Sequence, residues 1–420
     1  MRNASLWRAL LGVDKTVVED IEFDPDEKVL VAHVRSKQHA ARRCGRCRRR
    51  ARGYDRGEGR RRWRGLDLGT VPVWLEAEAP RVNCPRHGIT VQAVPWARHG
   101  AGHTTAFDEQ VAWLATQCSK TAITELMRIA WRTVGAIISR VWADVEALHD
   151  RLAGLRRIGI DEISSKRGHK YLTVVVDHDS GRLVWAAAGK DKATLQGFFD
   201  RLGPDRSKLI THVFADGADW ISTVVENRCP IAVRCADPFH IVKWATEALD
   251  EVRREAWNLA RGAVTRRRAG RASGHAKALK HARYALWKNP ENLTGKQQAK
   301  LAWIAKTDPR LHRGYLLKEG LRVVFSLDPA EAPAALDKWI GWARRCRIPA
   351  FVALQRRIVK HKNAILAAIE HGLSNGRIES VNTKIRLLTR IAFGFKSPDA
   401  LIALAMLTLG GHPPALPGRT

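Results

Sequence analysis

Three acidic side chains in three separate contexts are where this chain could do chemistry: Asp161 in Arg157-Ile-Gly-Ile-Asp161-Glu162, Asp216 in His212-Val-Phe-Ala-Asp216-Gly217, and Glu379 in Ser374-Asn-Gly-Arg-Ile-Glu379-Ser-Val-Asn382. The first two close short apolar, β-branched runs, the pattern of a buried strand that delivers an acid to its mouth, and the third lies in a helical pattern. Carboxylate oxygens of this kind can hold two Mg²⁺ or Mn²⁺ ions against a phosphate, which points to phosphodiester cleavage and transfer on a nucleic acid. A second set of ligand types occurs earlier, in Cys44-Gly-Arg-Cys47 and Cys84-Pro-Arg-His87. Two such knuckles can close a tetrahedral structural Zn²⁺ site. The alternative, four unligated side chains, is disfavoured because Cys44 and Cys47 sit among arginines, where burial as plain hydrophobes is costly.

The elements that must position the acids are legible from periodicity. Ile158 to Ile163, Lys170 to Asp177 and Leu183 to Ala188 read as strands, with Asp179-Ser-Gly181 turning the last two into a hairpin. A helix from Ala193 to Leu202, a strand from Leu209 to Ala215, a helix from Trp220 to Asn227 and a strand from Ile231 to Cys235 follow. Three antiparallel strands and then helix, strand, helix, strand is the order of an RNase H-like mixed sheet. In that order the first and fourth strands are parallel neighbours, so Asp161 and Asp216 end side by side, an arrangement that repels unless cations lie between them. Glu379, Asn382 and Arg386 share one helix face, while Ile378, Val381, Ile385 and Leu388 are placed to pack inward. Asp177, Asp179, Asp219 and Asp237 compete with Asp216 for the second position, and Asp237, in Asp237-Pro-Phe-His240, is the serious rival.

Upstream of this core the patterning changes twice. Val17 to Phe23 and Lys28 to Val34 alternate about Asp24-Pro25-Asp26 as a hairpin would, and the segment between the knuckles, with Trp63 and Thr70 to Leu75, reads as a β-ribbon held at its base by the metal. From Phe107 to His149 the period becomes helical, with breaks at Ser119-Lys120-Thr121 and before Trp131, as in a helix-turn-helix whose turn lacks the usual Gly. Its last helix would turn Arg132, Thr133 and Arg140 toward DNA.

Charge agrees with a polyanionic partner. Lys and Arg number 72 against 42 acids, a formal +30, and from Lys37 to Arg64 there are thirteen basic residues and two acids. The seven cysteines form no disulfide framework. No apolar stretch reaches membrane-spanning length and Met1 to Val13 lacks a signal-peptide core, so the expected setting is cytoplasmic and nucleoid-associated.

Taken together, these residues resemble the DDE-type transposases of bacterial insertion sequences in the ISL-three family. The resemblance runs through the Cys pairs, Gly159-Ile-Asp161-Glu162-Ile163, Gly168-His-Lys-Tyr171, Asp237-Pro-Phe-His240-Ile-Val-Lys243 and Leu249-Asp-Glu-Val-Arg-Arg254. It continues through Leu286-Trp-Lys-Asn-Pro-Glu-Asn-Leu-Thr294, Leu317-Lys-Glu319 and the Ser374 to Arg386 motif, and ends at Arg390-Ile-Ala-Phe-Gly-Phe395. His87 stands where relatives often carry a fourth Cys, Ser380 where Gly is common, and Ile391-Ala392 where an Arg-Ala-Tyr type sequence is typical.

The resemblance implies an α/β chain: an RNase H-like mixed-sheet catalytic core, interrupted by a mostly helical insertion, and preceded by a zinc-ribbon-like β domain and a helix-turn-helix. The implied layout is 1–100 for the β and zinc-binding domain and 101–152 for the helix-turn-helix. The first part of the core then covers 153–241, the insertion 242–370, the second part of the core 371–412 and a tail 413–420. It implies Asp161, Asp216 and Glu379 as catalytic ligands of two Mg²⁺ or Mn²⁺ ions, with Asp237, His240, Asn382 and Arg386 in support. It implies binding to the terminal inverted repeats and target as double-stranded DNA, and at least a dimer. A transposase-derived, non-catalytic repressor would need no acidic triad, and an RNase H-like nuclease would share the metals without strand transfer.

Overall fold

The computed structural model describes residues 4–166, 170–215, 218–264, 276–372, 376–395 and 397–419. Two units emerge from the contacts, one of residues 1–151 with 385–420 and the other of residues 152–384. Each has its own hydrophobic cores.

In the first unit a short helix α1 (Ala4–Leu10) precedes a hairpin of β1 (Thr16–Asp24) and β2 (Val29–Ser36). Next come β3 (Arg52–Asp55), β4 (Arg60–Arg64), β5 (Val73–Glu78), β6 (Arg81–Cys84) and β7 (Gly88–Val91). The expected single ribbon between the knuckles is divided between two sheets, of order β1-β2-β5-β4 and β3-β6-β7. The reason is burial. A lone hairpin cannot cover its apolar face, and Trp63, Val73, Leu75 and Ala77 are instead covered by Val18, Ala32 and Val34 once β5 pairs in parallel with β2. Three helices follow: α2 (Thr105–Gln117), α3 (Lys120–Met127) and α4 (Trp131–Leu148). The side chains of Thr104 and Ser119 cap the first two by accepting from the backbone N–H of Phe107 and Ala122.

The second unit begins with a five-stranded sheet built from β8 (Arg157–Lys166), β9 (Lys170–Asp177), β10 (Leu183–Ala188), β11 (His212–Ala215) and β12 (Val233–Ala236). Its order is β10-β9-β8-β11-β12. β8 is antiparallel to β9 and parallel to β11, which is parallel to β12, as the strand sequence anticipates. Ile158, Ile160, Val175, Val213 and Ala215 pack one face of it against Leu195, Phe198 and Phe199 of α5 (Lys192–Leu202) and Ile221, Val224 and Val225 of α7 (Asp219–Arg228). A single turn, α6 (Pro204–Ser207), links α5 to β11.

The long α8 (Pro238–Val264) opens a helical region of α9 (Arg283–Trp287), α10 (Gly295–Thr307), α11 (Pro309–Val324), α12 (Ala332–Arg345), α13 (Pro349–Lys360) and α14 (Lys362–Glu370). These share a separate core around Leu249, Leu311, Tyr315, Leu321, Trp339 and Phe351. Its buried Lys318 is satisfied by the carbonyls of Leu286 and Trp287 at the end of α9 and by Glu319, which gives the Leu317-Lys-Glu319 motif a structural role. The chain closes with α15 (Gly376–Ile391) and α16 (Pro398–Leu409). The stretch 371–412, a single block in the sequence layout, is divided after Lys384: later residues belong to the first unit, where α16 packs on α4 and α2.

Candidate functional site

β8 carries Asp161 opposite Val174 of β9. On the other side of β8, Ala215 at the end of β11 pairs with Ile160, the residue before Asp161. Asp216 lies outside the described residues. Glu379 stands exposed in the first turn of α15, while Ile378, Val381, Ile385 and Leu388 are buried along the opposite stripe, as their spacing requires.

Asn382 joins the helix to the strand. It is 2% exposed, and its Nδ2 donates to Asp161 Oδ2 at 2.6 Å, while Asp161 Oδ1 accepts from the Glu162 backbone N–H at 2.7 Å. Glu379 and Asn382 are three residues apart, so their Cβ atoms lie about 5–6 Å apart on one face. The buried Oδ1 of Asn382 has no hydrogen-bond partner among the described residues. An unsatisfied carbonyl oxygen next to a carboxylate suits a hard cation or its bound water, so the residues present fit a divalent ion.

Two contacts fix the approach of this helix. A Cβ built on Gly159 would lie 2.1 Å from Cδ1 and 2.6 Å from Cγ1 of Ile378, so the strand must be bare at that position for the helix to come this close. Arg377 donates from Nη1 to the backbone carbonyls of His178 and Asp179, in the turn between β9 and β10.

The rival acids, like Asp161, have partners of their own. Asp177 is a turn staple, accepting from the Asp179 backbone N–H at 3.0 Å and from the Ser180 hydroxyl. Asp179 pairs with Arg157, and Asp219 with Lys360 at 2.7 Å, which lowers the Asp219 pKa. Asp237 is 5% exposed, and both its oxygens are used: Oδ1 accepts from the Phe239 N–H at 3.0 Å, at the start of α8, and Oδ2 meets His240 Nδ1 at 2.5 Å. Arg386 is exposed.

In the first unit, ligand atoms of Cys44, Cys47, Cys84 and His87 all lie within 4.8 Å of one another. The Sγ atoms of Cys47 and Cys84 are 3.8 Å apart, and His87 Nδ1 is 3.7 Å from Cys44 Sγ and 3.8 Å from Cys84 Sγ. Tetrahedral zinc with Zn–S near 2.3 Å and Zn–N near 2.0–2.1 Å places its ligands roughly 3.5–3.8 Å apart, so the donor set fits this metal. Cys44 and Cys47 come from one turn, tied by the Cys44–Gln92 bridge to the end of β7, and Cys84 and His87 from the connection between β6 and β7. The Arg86 backbone N–H, helped by His87 against the desolvation of burial, brings the Cys84 thiol down to about 6.

The helix-turn-helix geometry is also present. Between α3 and α4 the turn runs through Arg128, Ile129 and Ala130. Arg128 takes the left-handed conformation, φ +52°, that Gly normally supplies, and its side chain reaches the Thr70 carbonyl at 3.2 Å and Asp67 at 3.4 Å. Arg132 is exposed and Thr133 half-buried in the first turn of α4. Arg140, expected on the DNA side, instead makes a two-pronged pair with Asp108 of α2, Nε to Oδ2 at 2.9 Å and Nη2 to Oδ1 at 3.0 Å. Asp108 is fully buried, and a carboxylate withdrawn from water requires such a partner.

Sequence reasoning passed over Gly159, Arg377 and Asp108. A Gly inside a strand pattern, two residues before an acid, is a recognised sign of close backbone approach and was available. Nothing in the local pattern marks Arg377 or Asp108, whose partners are remote in sequence.

Comparison with known proteins accounts for the chain in three segments. Residues 158–405 match a transposase model of the DDE type from the ISL3 family, residues 92–142 match the helix-turn-helix domain of transposase family ISL3, and residues 40–87 match the zinc finger of the IS204/IS1001/IS1096/IS1165 transposases. The transposase for insertion sequence element IS1557 of Mycobacterium tuberculosis, in strains CDC 1551 and H37Rv, is 67% identical across all of this chain and 98% of the relative. The transposase for IS1001 of Bordetella parapertussis is 26% identical over 81% of this chain and 82% of its own length.

Proposed function

The chain belongs to the ISL3 family of insertion-sequence transposases, and from that premise we propose that it cuts the ends of its element and joins them to target DNA through Asp161, Asp216 and Glu379 on an RNase H-like core. The observation that carries this reading is the link between α15 and β8, where Asn382 holds Asp161 one helical turn from Glu379 and leaves its own Oδ1 open. Asp216 directly follows Ala215, the register partner of Ile160, which is the ground for preferring it to Asp237.

Asp161, Asp216 and Glu379 would hold Mg²⁺ or Mn²⁺, with Asn382 fixing the Asp161 carboxylate. Bound there, paired divalent ions supply Lewis acidity for in-line attack on a phosphate, first by water and then by the freed 3′-hydroxyl of the transposon end. Asp237 and His240 would support this site, and Arg386 would position a phosphate. The Cys44, Cys47, Cys84 and His87 cluster would hold a structural Zn²⁺. Arg132 and Thr133, at the exposed start of the last helix of the motif, would meet the terminal inverted repeats. Concerted cutting of two ends calls for at least a dimer acting on double-stranded DNA. No described helix is long and apolar enough to cross a membrane, and the expected site of action is the bacterial nucleoid.

The test is cleavage of labelled transposon-end duplex in Mg²⁺ by Asp161→Ala, Asp216→Ala, Asp237→Ala and Glu379→Ala proteins. The expected result is loss of cutting with retained DNA binding for Asp161, Asp216 and Glu379. Normal cutting by Asp216→Ala together with loss in Asp237→Ala would replace Asp216 by Asp237.

A further inference from the structure

We propose that Arg377 is a positioning residue for Glu379, fixing the rotational setting of the first turn of α15 by hooking the turn between β9 and β10; the inference rests on the metal site proposed above. Glu379 is the fourth residue of its helix. First-turn residues have few intrahelical bonds and fray unless tied from outside. Here two of three consecutive side chains supply the tie. They leave the helix about 100° apart, with Arg377 hooking two carbonyls, Ile378 wedged on bare Gly159 and Glu379 facing outward.

The anchor that Arg377 grips is a closed, hydrogen-bonded turn. The turn is closed by Asp177 N–H to the Arg182 carbonyl at 2.9 Å and Gly181 N–H to the Asp177 carbonyl at 2.8 Å, and it is stapled internally by Asp177 and Ser180. It is also tied to the strands that present the acids. The His178 N–H donates to the Arg157 carbonyl of β8 at 2.8 Å, the His178 ring lies 4.4 Å from that of Phe214 in β11, and Asp179 pairs with Arg157. Arg377 therefore references Glu379 to the same frame that carries Asp161. The side chain is exposed overall, so burial does not force the contact. A guanidinium over two carbonyls makes charge-assisted hydrogen bonds whose consequence is orientation.

The test uses the full chain and compares Arg377→Ala, Arg377→Lys and Glu379→Ala. Three quantities are read: binding to end DNA without divalent ions, Mn²⁺ affinity by titration calorimetry on that complex, and cleavage as a function of Mn²⁺ concentration. Groups that hydrogen-bond a metal ligand directly are worth about 10–100-fold in metal affinity, which sets the scale for a residue acting on Glu379 through the helix. Arg377→Ala is expected to bind DNA normally, to raise the Mn²⁺ concentration for half-maximal cleavage and the Mn²⁺ dissociation constant by about that factor, and to recover its rate at high Mn²⁺. Arg377→Lys should regain part of the loss. Should Arg377→Ala not fold, Arg377→Gln is read in the same way. Unchanged Mn²⁺ affinity would overturn the proposal, as would weakened DNA binding without Mn²⁺, which would make Arg377 a phosphate contact. A Glu379→Ala protein that cuts normally would refute the metal site itself, whereas an inactive Glu379→Ala beside an Arg377→Ala of ordinary Mn²⁺ dependence would refute the positioning role alone.

Discussion

Adding one methyl group at Gly159 should disable this protein without touching a charged residue. The new Cβ would sit 2.1 Å from Ile378 Cδ1 and 2.6 Å from Cγ1. Restoring an ordinary contact, about 3.4 Å or more, requires the tip of Ile378 to retreat by roughly 1.3 Å. Ile378 is fully buried, so the side chain has little room to do this alone, and part of the displacement passes to the helix. Overpacking of this kind costs about 1–3 kcal/mol of stability. The functional loss is of comparable size, since Glu379 is the next residue and a misplacement of about 1 Å costs on the order of 10²-fold in rate, or roughly 2.7 kcal/mol of barrier. The assay is single-turnover cleavage of end duplex, with thermal melting in parallel and Gly197→Ala as control. Gly197 is an exposed glycine inside α5 with nothing within 4 Å of an added Cβ, so the same substitution there should be neutral or stabilise by up to about 1 kcal/mol. Ile378→Ala alone should destabilise by about 2–5 kcal/mol. In Gly159→Ala/Ile378→Ala the new methyl occupies space the isoleucine vacated, so the double variant should be more stable than the two single effects summed, with a coupling of about 1 kcal/mol or more. Wild-type cleavage and melting by Gly159→Ala, or strict additivity in the double variant, would show that strand and helix are not in the close register described.

Arg140→Ala should lower stability by about 3 kcal/mol, because it strips the two-pronged partner from fully buried Asp108 and leaves only Arg98 at 3.5 Å, whereas Arg132→Ala should melt as the parent does and lose affinity for end DNA. Calorimetric melting and gel-shift titration separate the two, and a stable Arg140→Ala that fails to bind DNA would return Arg140 to the DNA surface. Metal analysis should find about one zinc per chain, and a strong chelator, or Cys84→Ser, should remove it and lower the melting temperature of the N-terminal β region; a chelated protein with unchanged melting would show that the Cys44, Cys47, Cys84 and His87 group is structurally dispensable.

What could be read from the chain alone is what short-range chemistry encodes. The strands at 170–177 and 183–188 and the turn between them follow from alternation, β-branching and Asp-Ser-Gly, all of which act over a few residues. The knuckles declare themselves because two ligands three residues apart can reach one ion, and the structure brings all four together. The buried stripe of α15 is likewise a consequence of helical period. Partnerships between residues far apart in the chain are a different matter. Whether Arg140 faces solvent or Asp108, whether β5 closes a ribbon or joins β2, and whether Asp237 meets His240 depend on what folding brings alongside. The same holds for Arg377, whose carbonyl partners lie almost two hundred residues earlier. Such pairings are decided by which apolar faces must be covered and which buried charges must be neutralised, and only the tertiary structure states how those demands are met.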